Sequence, residues 1–290
     1  MKVVVAGGSG FIGSALCASL DADGHETVVV SRAPGGETES GRRVGWQQVD
    51  SAVDGADAVV NLAGVPIGGP RWTAGRKAAI GLSRVETTRT LADAIASAAN
   101  PPVVFVTASG IDYYGNRGEE TVDEASSVGA SFLAGVCESW EAAAAGAEPV
   151  RHVAIRTPLV VGKGAMSVRL MALPFRLFLG GPLGSGRQWF SWVALDDLVR
   201  IYRLAIEDAS LGGVVNAVAP EQLRQRDAAK TFGAVLHRPS LLPAPALALR
   251  AALGEQADLL LHGRRAVSTQ LGGFEFEYPE LRGALESAFS

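Results

Sequence analysis

The 290-residue sequence predicts an α/β fold organised as a doubly wound parallel sheet. Three observations predict it. The chain opens with a strand, a glycine turn, a helix and a second strand. Valine-rich strands and longer helices then alternate as far as residue 160. The strands read as short, continuous apolar runs, the pattern of a sheet buried on both faces.

Lys2 to Ala6 is the first such run, and it leads directly into Gly7-Gly8-Ser9-Gly10-Phe11-Ile12-Gly13. A helical stretch, Ser14 to Asp23, and a second valine strand, Thr27 to Val30, follow. In this context each glycine has a physical task. Gly7 turns the chain sharply out of the strand, Gly10 leaves the backbone N–H groups open to a pyrophosphate, and Gly13 lets the helix pack close to the sheet. The helix N-terminus then faces the phosphates with its partial positive charge. The unit is therefore read as a Rossmann-type nucleotide site, with Gly7, Ser9, Gly10, Phe11, Ile12 and Gly13 around the cofactor. The spacing is GxxGxxG rather than GxGxxG. A ligand-free glycine turn is the bland alternative, and the two flanking strands and the helix argue against it.

The second strand ends Val30-Ser31-Arg32, with no acid to hold a ribose 2′-hydroxyl. Arg32 can pair with a 2′-phosphate and Ser31 can donate to it, so the expected cofactor is NADP(H).

Asp57 to Leu62 is the third strand, closing on Asn61-Leu62-Ala63-Gly64. Small residues there leave room for the nucleotide, which places Leu62, Ala63 and Gly64 in the site. A helix is expected from Ala74 to Ala99, with Val85, Leu91 and Ile95 on its apolar stripe. Pro101-Pro102 breaks the chain before the strand Val103 to Thr107. A helix from Ser131 to Gly146 and a strand from Val150 to Thr157 complete the alternation. Residues 1–160 are thus read as the NADP(H)-binding domain and 161–290 as a smaller C-terminal substrate region. Gly212 to Ala219 is expected to return to the main sheet. Asp196-Asp197 reads as the cap of a helix starting near Leu198.

The bulk numbers narrow the partners. A formal net charge of −4 with scattered basic residues argues against nucleic acid and against a polybasic membrane anchor. Cys17 and Cys137 have no metal-ligand spacing, nor do the four histidines, so no metal is expected. Two thiols, no signal-peptide pattern and no long apolar span give the expectation of a cytoplasmic protein with a small-molecule substrate.

These residues resemble the extended, epimerase-like branch of the short-chain dehydrogenase/reductase superfamily. The resemblance rests on Gly7-x-x-Gly10-x-x-Gly13, Asn61-Leu62-Ala63-Gly64, and Ser109 ahead of Tyr113-Tyr114-Gly115. More narrowly, the chain is similar to the atypical group called epimerase family proteins. Arg71-Trp72 through Lys77, Ser83 to Thr88, Trp140-Glu141-Ala142-Ala143 and Gly180 to Trp189 carry that likeness, which covers essentially the whole chain. The resemblance implies a Rossmann fold, NADP(H) use and pairing of copies through the helices near 84–97 and 131–146, a possible homodimer.

The resemblance also says where the chemistry should be. In the superfamily a Tyr and a Lys four residues later exchange a proton with the substrate oxygen, a Ser or Thr orients that oxygen, and an Asn supports the relay. Here the Tyr position is Leu133, the Lys position Cys137 and the Asn position Arg84. Ser109 remains as the group to touch a substrate oxygen, with Tyr113 and Tyr114 next in line as proton donors. Cys137 reads either as a buried structural cysteine or as a thiol activated by Arg84. Pro158 is expected beside the nicotinamide. Gly184 to Trp192 reads either as a substrate lid, with Arg187, Trp189 and Trp192 touching the substrate, or as core packing beneath a loop.

Two functional readings follow. One is an NADP(H)-dependent oxidoreductase or epimerase acting on a small carbonyl or hydroxyl compound with a non-standard proton donor. The other is an NADP(H)-binding sensor or scaffold that never turns over.

Overall fold

The computed structural model describes residues 1–32, 37–38 and 41–290. The first half alternates as the sequence predicts: β1 (Lys2–Ala6), α1 (Phe11–Ala22), β2 (Glu26–Val30), β3 (Glu37–Thr38), β4 (Gly41–Val44), α2 (Val49–Val53) and β5 (Ala58–Asn61). Next come α3 (Ala74–Ser97), β6 (Val104–Gly110), β7 (Thr121–Val122), α4 (Phe132–Ala142) and β8 (Arg151–Thr157). The rest is β9 (Leu159–Val161), α5 (Met166–Arg176), β10 (Trp189–Phe190), β11 (Trp192–Ala194), α6 (Leu195–Glu207), β12 (Gly213–Asn216), β13 (Leu223–Arg224) and α7 (Gln225–Val235). Two short helices, α8 (Ala246–Leu253) and α9 (Asp258–Leu261), then β14 (Arg265–Ala266) and α10 (Leu281–Phe289) close the chain.

The main sheet runs β12-β8-β6-β5-β1-β2-β4-β3, and all its neighbours are parallel except β3 with β4. The valine runs explain its centre. Val3, Val4 and Val5 are fully buried and alternate between two cores, Val3 and Val5 facing α1 and α6, and Val4 facing α2 and α3. The order reverses between β1 and β5, the place where such sheets bind ligands beyond their carboxyl ends.

The expected helix at 74–99 forms as α3, and Thr73 caps it by accepting from the Arg76 N–H at 3.2 Å. Its buried stripe differs from the expected one. Ile80, Arg84, Thr88, Leu91 and Ile95 face inward, while Val85 is only half-buried, because the 3.6-residue period turns it away from Leu91.

The second half is less separate than a cut at residue 160 suggests. β12 pairs in parallel with β8, as expected of that segment, and α6 packs on α1 beneath the main sheet. A second core belongs to the C-terminal region, where α5, α7 and α10 enclose Phe175, Phe232 and Leu285. Asp197 ties the two together. It does not cap the helix as expected, because α6 already starts at Leu195 and places Asp197 in its first turn. Fully buried, it instead accepts from the backbone N–H groups of Glu277 at 2.7 Å and Tyr278 at 2.9 Å, with Arg200 at 3.1 Å as counter-ion.

Candidate functional site

The parallel register brings the expected cofactor residues to one edge. Ala6 lies level with Val30 and with Asn61, Asn61 with Thr107, and Gly110 with Thr157. The loops that follow, Gly7–Gly13, Ser31–Arg32, Leu62–Gly64 and Pro158, therefore open on the same side. Gly7 has φ of +80°, and a Cβ there would lie 2.8 Å from the Ala63 nitrogen. A Cβ on Gly13 would lie 2.3 Å from the Gly7 carbonyl oxygen, so the loop closes this tightly only with glycine at both places. Gly10 caps α1 without any side-chain hydrogen bond, and Ser9, Gly10 and Phe11 are exposed. This is a helix N-terminus left open for a phosphate.

The Asn61–Gly64 segment is held from below. Buried Asn61 donates to Thr88 Oγ1 at 2.8 Å and accepts from the Ala63 N–H at 3.0 Å. Glycine at 64 also leaves room for Arg84, whose guanidinium carbon would lie 3.1 Å from a Cβ there. Arg84 is itself buried, donating to the carbonyls of Val65 at 2.9 Å and Ile80 at 3.0 Å, and it stacks on Trp140. It is a strut under the loop.

The catalytic expectations are redistributed. Ser109 lies inside β6, not beyond its end, and its hydroxyl donates to Glu141 Oε1 at 2.6 Å. Glu141 also holds Arg156 by two bonds, of 2.8 Å to Nε and 2.7 Å to Nη2. Arg156 in turn donates to the Tyr114 hydroxyl at 2.8 Å, which donates to Asn216 at 2.7 Å. The chain Ser109–Glu141–Arg156–Tyr114–Asn216 thus stitches β6, α4, β8 and β12 into one buried polar network. Burial works against the Arg156 charge, but the Glu141 carboxylate outweighs it and raises the guanidinium's pKa above its ordinary value. Tyr114 is fully buried and its one hydroxyl proton is committed to Asn216, which corrects its reading as a proton donor to substrate; burial also raises its phenol above the ordinary value despite Arg156. Tyr113 is half-buried, with the Arg156 guanidinium stacked on its ring at 3.4 Å.

Cys137 is the buried structural cysteine of the two readings. Burial is the main cause that pushes its thiol up to about 12, and the Asp112 and Glu141 charges add to it; Arg84 does not make it a thiolate. Cys17 is likewise pushed up to about 12, by burial and then by Asp21. A thiol reagent at mildly alkaline pH is therefore expected to label neither cysteine in the folded protein and both after unfolding. Mass spectrometry of the labelled protein checks this, and fast labelling of Cys137 in the native state would contradict it.

The lid expectation is also corrected. Trp192 is buried in the C-terminal core as part of β11, so it cannot face a substrate. Trp189 sits in β10 with its ring covered by Arg224 at 3.6 Å and Arg265 at 4.9 Å. Gln188 pins the loop to the carbonyls of Leu183 at 3.0 Å and Leu260 at 2.7 Å. Of the three expected contacts only Arg187 remains exposed.

A cleft that the sequence did not announce lies beyond the β6 edge. It is a cavity of about 170 Å³ lined by Asp112, Leu133, Trp72 and Phe132 on one side and by His262 and Arg264 on the other. Leu133, at the expected Tyr position, is part of its wall. Asp112 and Arg264 form an ion pair at 2.7 Å, and Lys77 and Glu255 another at 2.6 Å. The signal for Asp112 was present, two residues beyond the strand end and between Ser109 and Tyr113. Arg264 and His262 are distant in sequence and only the fold brings them here. Among the described residues no cluster of potential metal ligands occurs.

Comparison with known proteins decides the family. Residues 3–217 match the model of the NAD dependent epimerase/dehydratase family, nearly three-quarters of the chain. The chain belongs to that family. Residues 244–288 match a second model, described as a domain of unknown function, DUF1731. Among this family member's relatives, the mouse epimerase family protein SDR39U1 is 40% identical over 294 residues, covering 99% of both chains. The Mycobacterium tuberculosis epimerase family protein MT2273 is 39% identical over 290 residues, covering 98% of this chain and 96% of its own. The crystal structure of human epimerase family protein SDR39U1 (isoform 2) with NADPH superimposes with a TM-score of 0.92 at 38% identity, covering 99% of both chains. The expected family and Rossmann-type fold are borne out.

Proposed function

We propose that this family member is an NADP(H)-dependent oxidoreductase or epimerase acting on a small carbonyl or hydroxyl compound. The similarity to the human protein crystallised with NADPH supports the cofactor, and so does the fit of the chain's own residues. The glycine cradle that no Cβ could enter takes the pyrophosphate, Leu62, Ala63 and Gly64 border the nucleotide, and Arg32 pairs with the 2′-phosphate. Bound NADP(H) supplies or removes the hydride.

The observation that carries the enzymatic reading is the half-open cleft beyond the carboxyl end of β6, with the Asp112 carboxylate in its wall. Its volume suits a small substrate. Asp112 takes the proton-exchange role at the substrate oxygen that Leu133 cannot fill, and Arg264 fixes the carboxylate's orientation. Trp72, Phe132 and Leu133 exclude water from the apolar side. Ser109 acts on this cleft only through the strand it anchors.

The test is NADPH consumption against a panel of small aldehydes, ketones and keto sugars, followed by absorbance. Turnover with at least one of them is expected, and Asp112→Asn is expected to slow it on the order of 10²-fold or more. Unchanged turnover in Asp112→Asn would remove its role. NADPH binding with no consumption across the panel would favour the second reading, a non-catalytic sensor or scaffold, which the commitment of Ser109 to Glu141 supports.

A further inference from the structure

One face of the C-terminal region is apolar and exposed, with basic side chains along one flank. Helix α5 divides cleanly. Val168, Ala172 and Phe175 face the core, while Met166, Leu170, Leu173 and Leu177 fall on the opposite side at helical spacing and are 50–65% exposed. The chain after the helix extends this face. Phe178 adopts φ of +62°, a conformation that bulky side chains rarely take, and both Phe178 and Leu179 project into solvent. The segment 180–184 is joined to 242–244 by backbone bonds, among them Leu242 N–H to the Gly180 carbonyl at 3.1 Å and Ala244 N–H to the Pro182 carbonyl at 2.9 Å. This brings Leu241, 78% exposed, to the same patch. Scattered exposed leucines need no explanation, but a continuous ridge of this kind does.

The charges around the ridge identify its occupant. Residues 149–195 and 228–254 contain no Asp or Glu, in a chain that has 30 acidic residues and a net charge of −4. Lys163, Arg169, Arg176 and Arg238 are all exposed in these two segments. Arg169 and Arg176 lie on one flank of the α5 ridge, and the Arg238 guanidinium sits 4.7 Å from the centre of the Phe178 ring. No ion pair engages any of these four among the described residues.

We propose that this face docks on an anionic lipid surface, with α5 lying in the plane of the headgroups. Leucines and an aromatic enter the acyl boundary while a basic flank meets the lipid phosphates, the arrangement that distinguishes an interfacial helix from a buried one. An acidic protein surface would satisfy the charges but not an apolar ridge flanked by long cationic stems. The global charge argued against a membrane partner because it averages over the whole molecule; locally the sign is reversed.

Sedimentation of the full-length protein with phosphatidylcholine vesicles, with and without phosphatidylglycerol, tests this. Binding is expected only to the anionic vesicles and should weaken as salt is raised. Leu173→Glu/Leu177→Glu should lower it at least about tenfold, since each charge would enter the apolar boundary. Arg169→Glu/Arg176→Glu should do the same. All four positions are exposed, so unchanged thermal melts confirm that the variants are folded. No binding to anionic vesicles, or binding that both variants retain, would overturn the proposal. So would light scattering that shows a dimer in the wild type and a monomer in Leu173→Glu/Leu177→Glu, which would assign the ridge to a second copy of this chain.

Discussion

Glu141→Gln is expected to destabilise the protein by about 3–5 kcal/mol, the cost of leaving a buried cation without its counter-charge. The Arg156 side chain is only 3% exposed and makes two of its three short bonds to the Glu141 carboxylate, its only counter-charge among the described residues. Gln can offer only one acceptor oxygen, and its amide N–H groups would face the guanidinium donors. Ser109 Oγ would lose its charged acceptor as well. For a chain of this size each kcal/mol corresponds to roughly 2–4 °C, so the melting temperature should fall by on the order of 10 °C. Arg156→Lys keeps the charge but not the planar fork, so it should recover only part of the stability. Differential scanning calorimetry checks both variants. A melt within about 2 °C of the wild type for Glu141→Gln would show that the network contributes no net stability.

That network marks the limit of what sequence could show. Gly7, Gly10 and Gly13, the valine strands and the Asn61–Gly64 segment were legible because their signals are local. A turn, a helix N-terminus and a buried strand each require particular residues within a few positions. The β12 return was legible for the same reason. The network joins residues from 109 to 216 on four elements and the turn after β6, and no spacing rule relates them. Ser109 was found by position, but its partner decides what it does, and Glu141 stood in a quoted motif without a role. Trp189 and Trp192 stayed open between lid and core because an aromatic-rich loop and a core strand have the same composition; only the stacked arginines and the burial tell them apart. Cys137 was open until burial fixed the direction of its pKa.

Arg32→Ala is expected to weaken NADPH binding by about 10- to 100-fold while leaving NADH binding nearly unchanged. The range corresponds to roughly 1.5–3 kcal/mol for a charge-assisted bond to the 2′-phosphate. Arg32 is exposed at the carboxyl end of β2, beyond Ser31, whose N–H donates to the Val44 carbonyl at 3.0 Å. The side chain is thus free of the core, and its removal should not disturb the fold. Because the pair is solvent-facing, the NADPH preference should also shrink at high salt. No acid stands at the strand end to favour the 2′-hydroxyl of NADH, so the expected preference for NADPH should fall with the removal of Arg32.

NADP(H) binding through Arg32 is tested most directly by a titration of the wild type and Arg32→Ala with NADPH and NADH, read by tryptophan fluorescence. The wild type is expected to bind NADPH at least about tenfold more tightly than NADH, and the variant to bind both alike. Equal affinity of the wild type for the two nucleotides, or binding of neither, would contradict it.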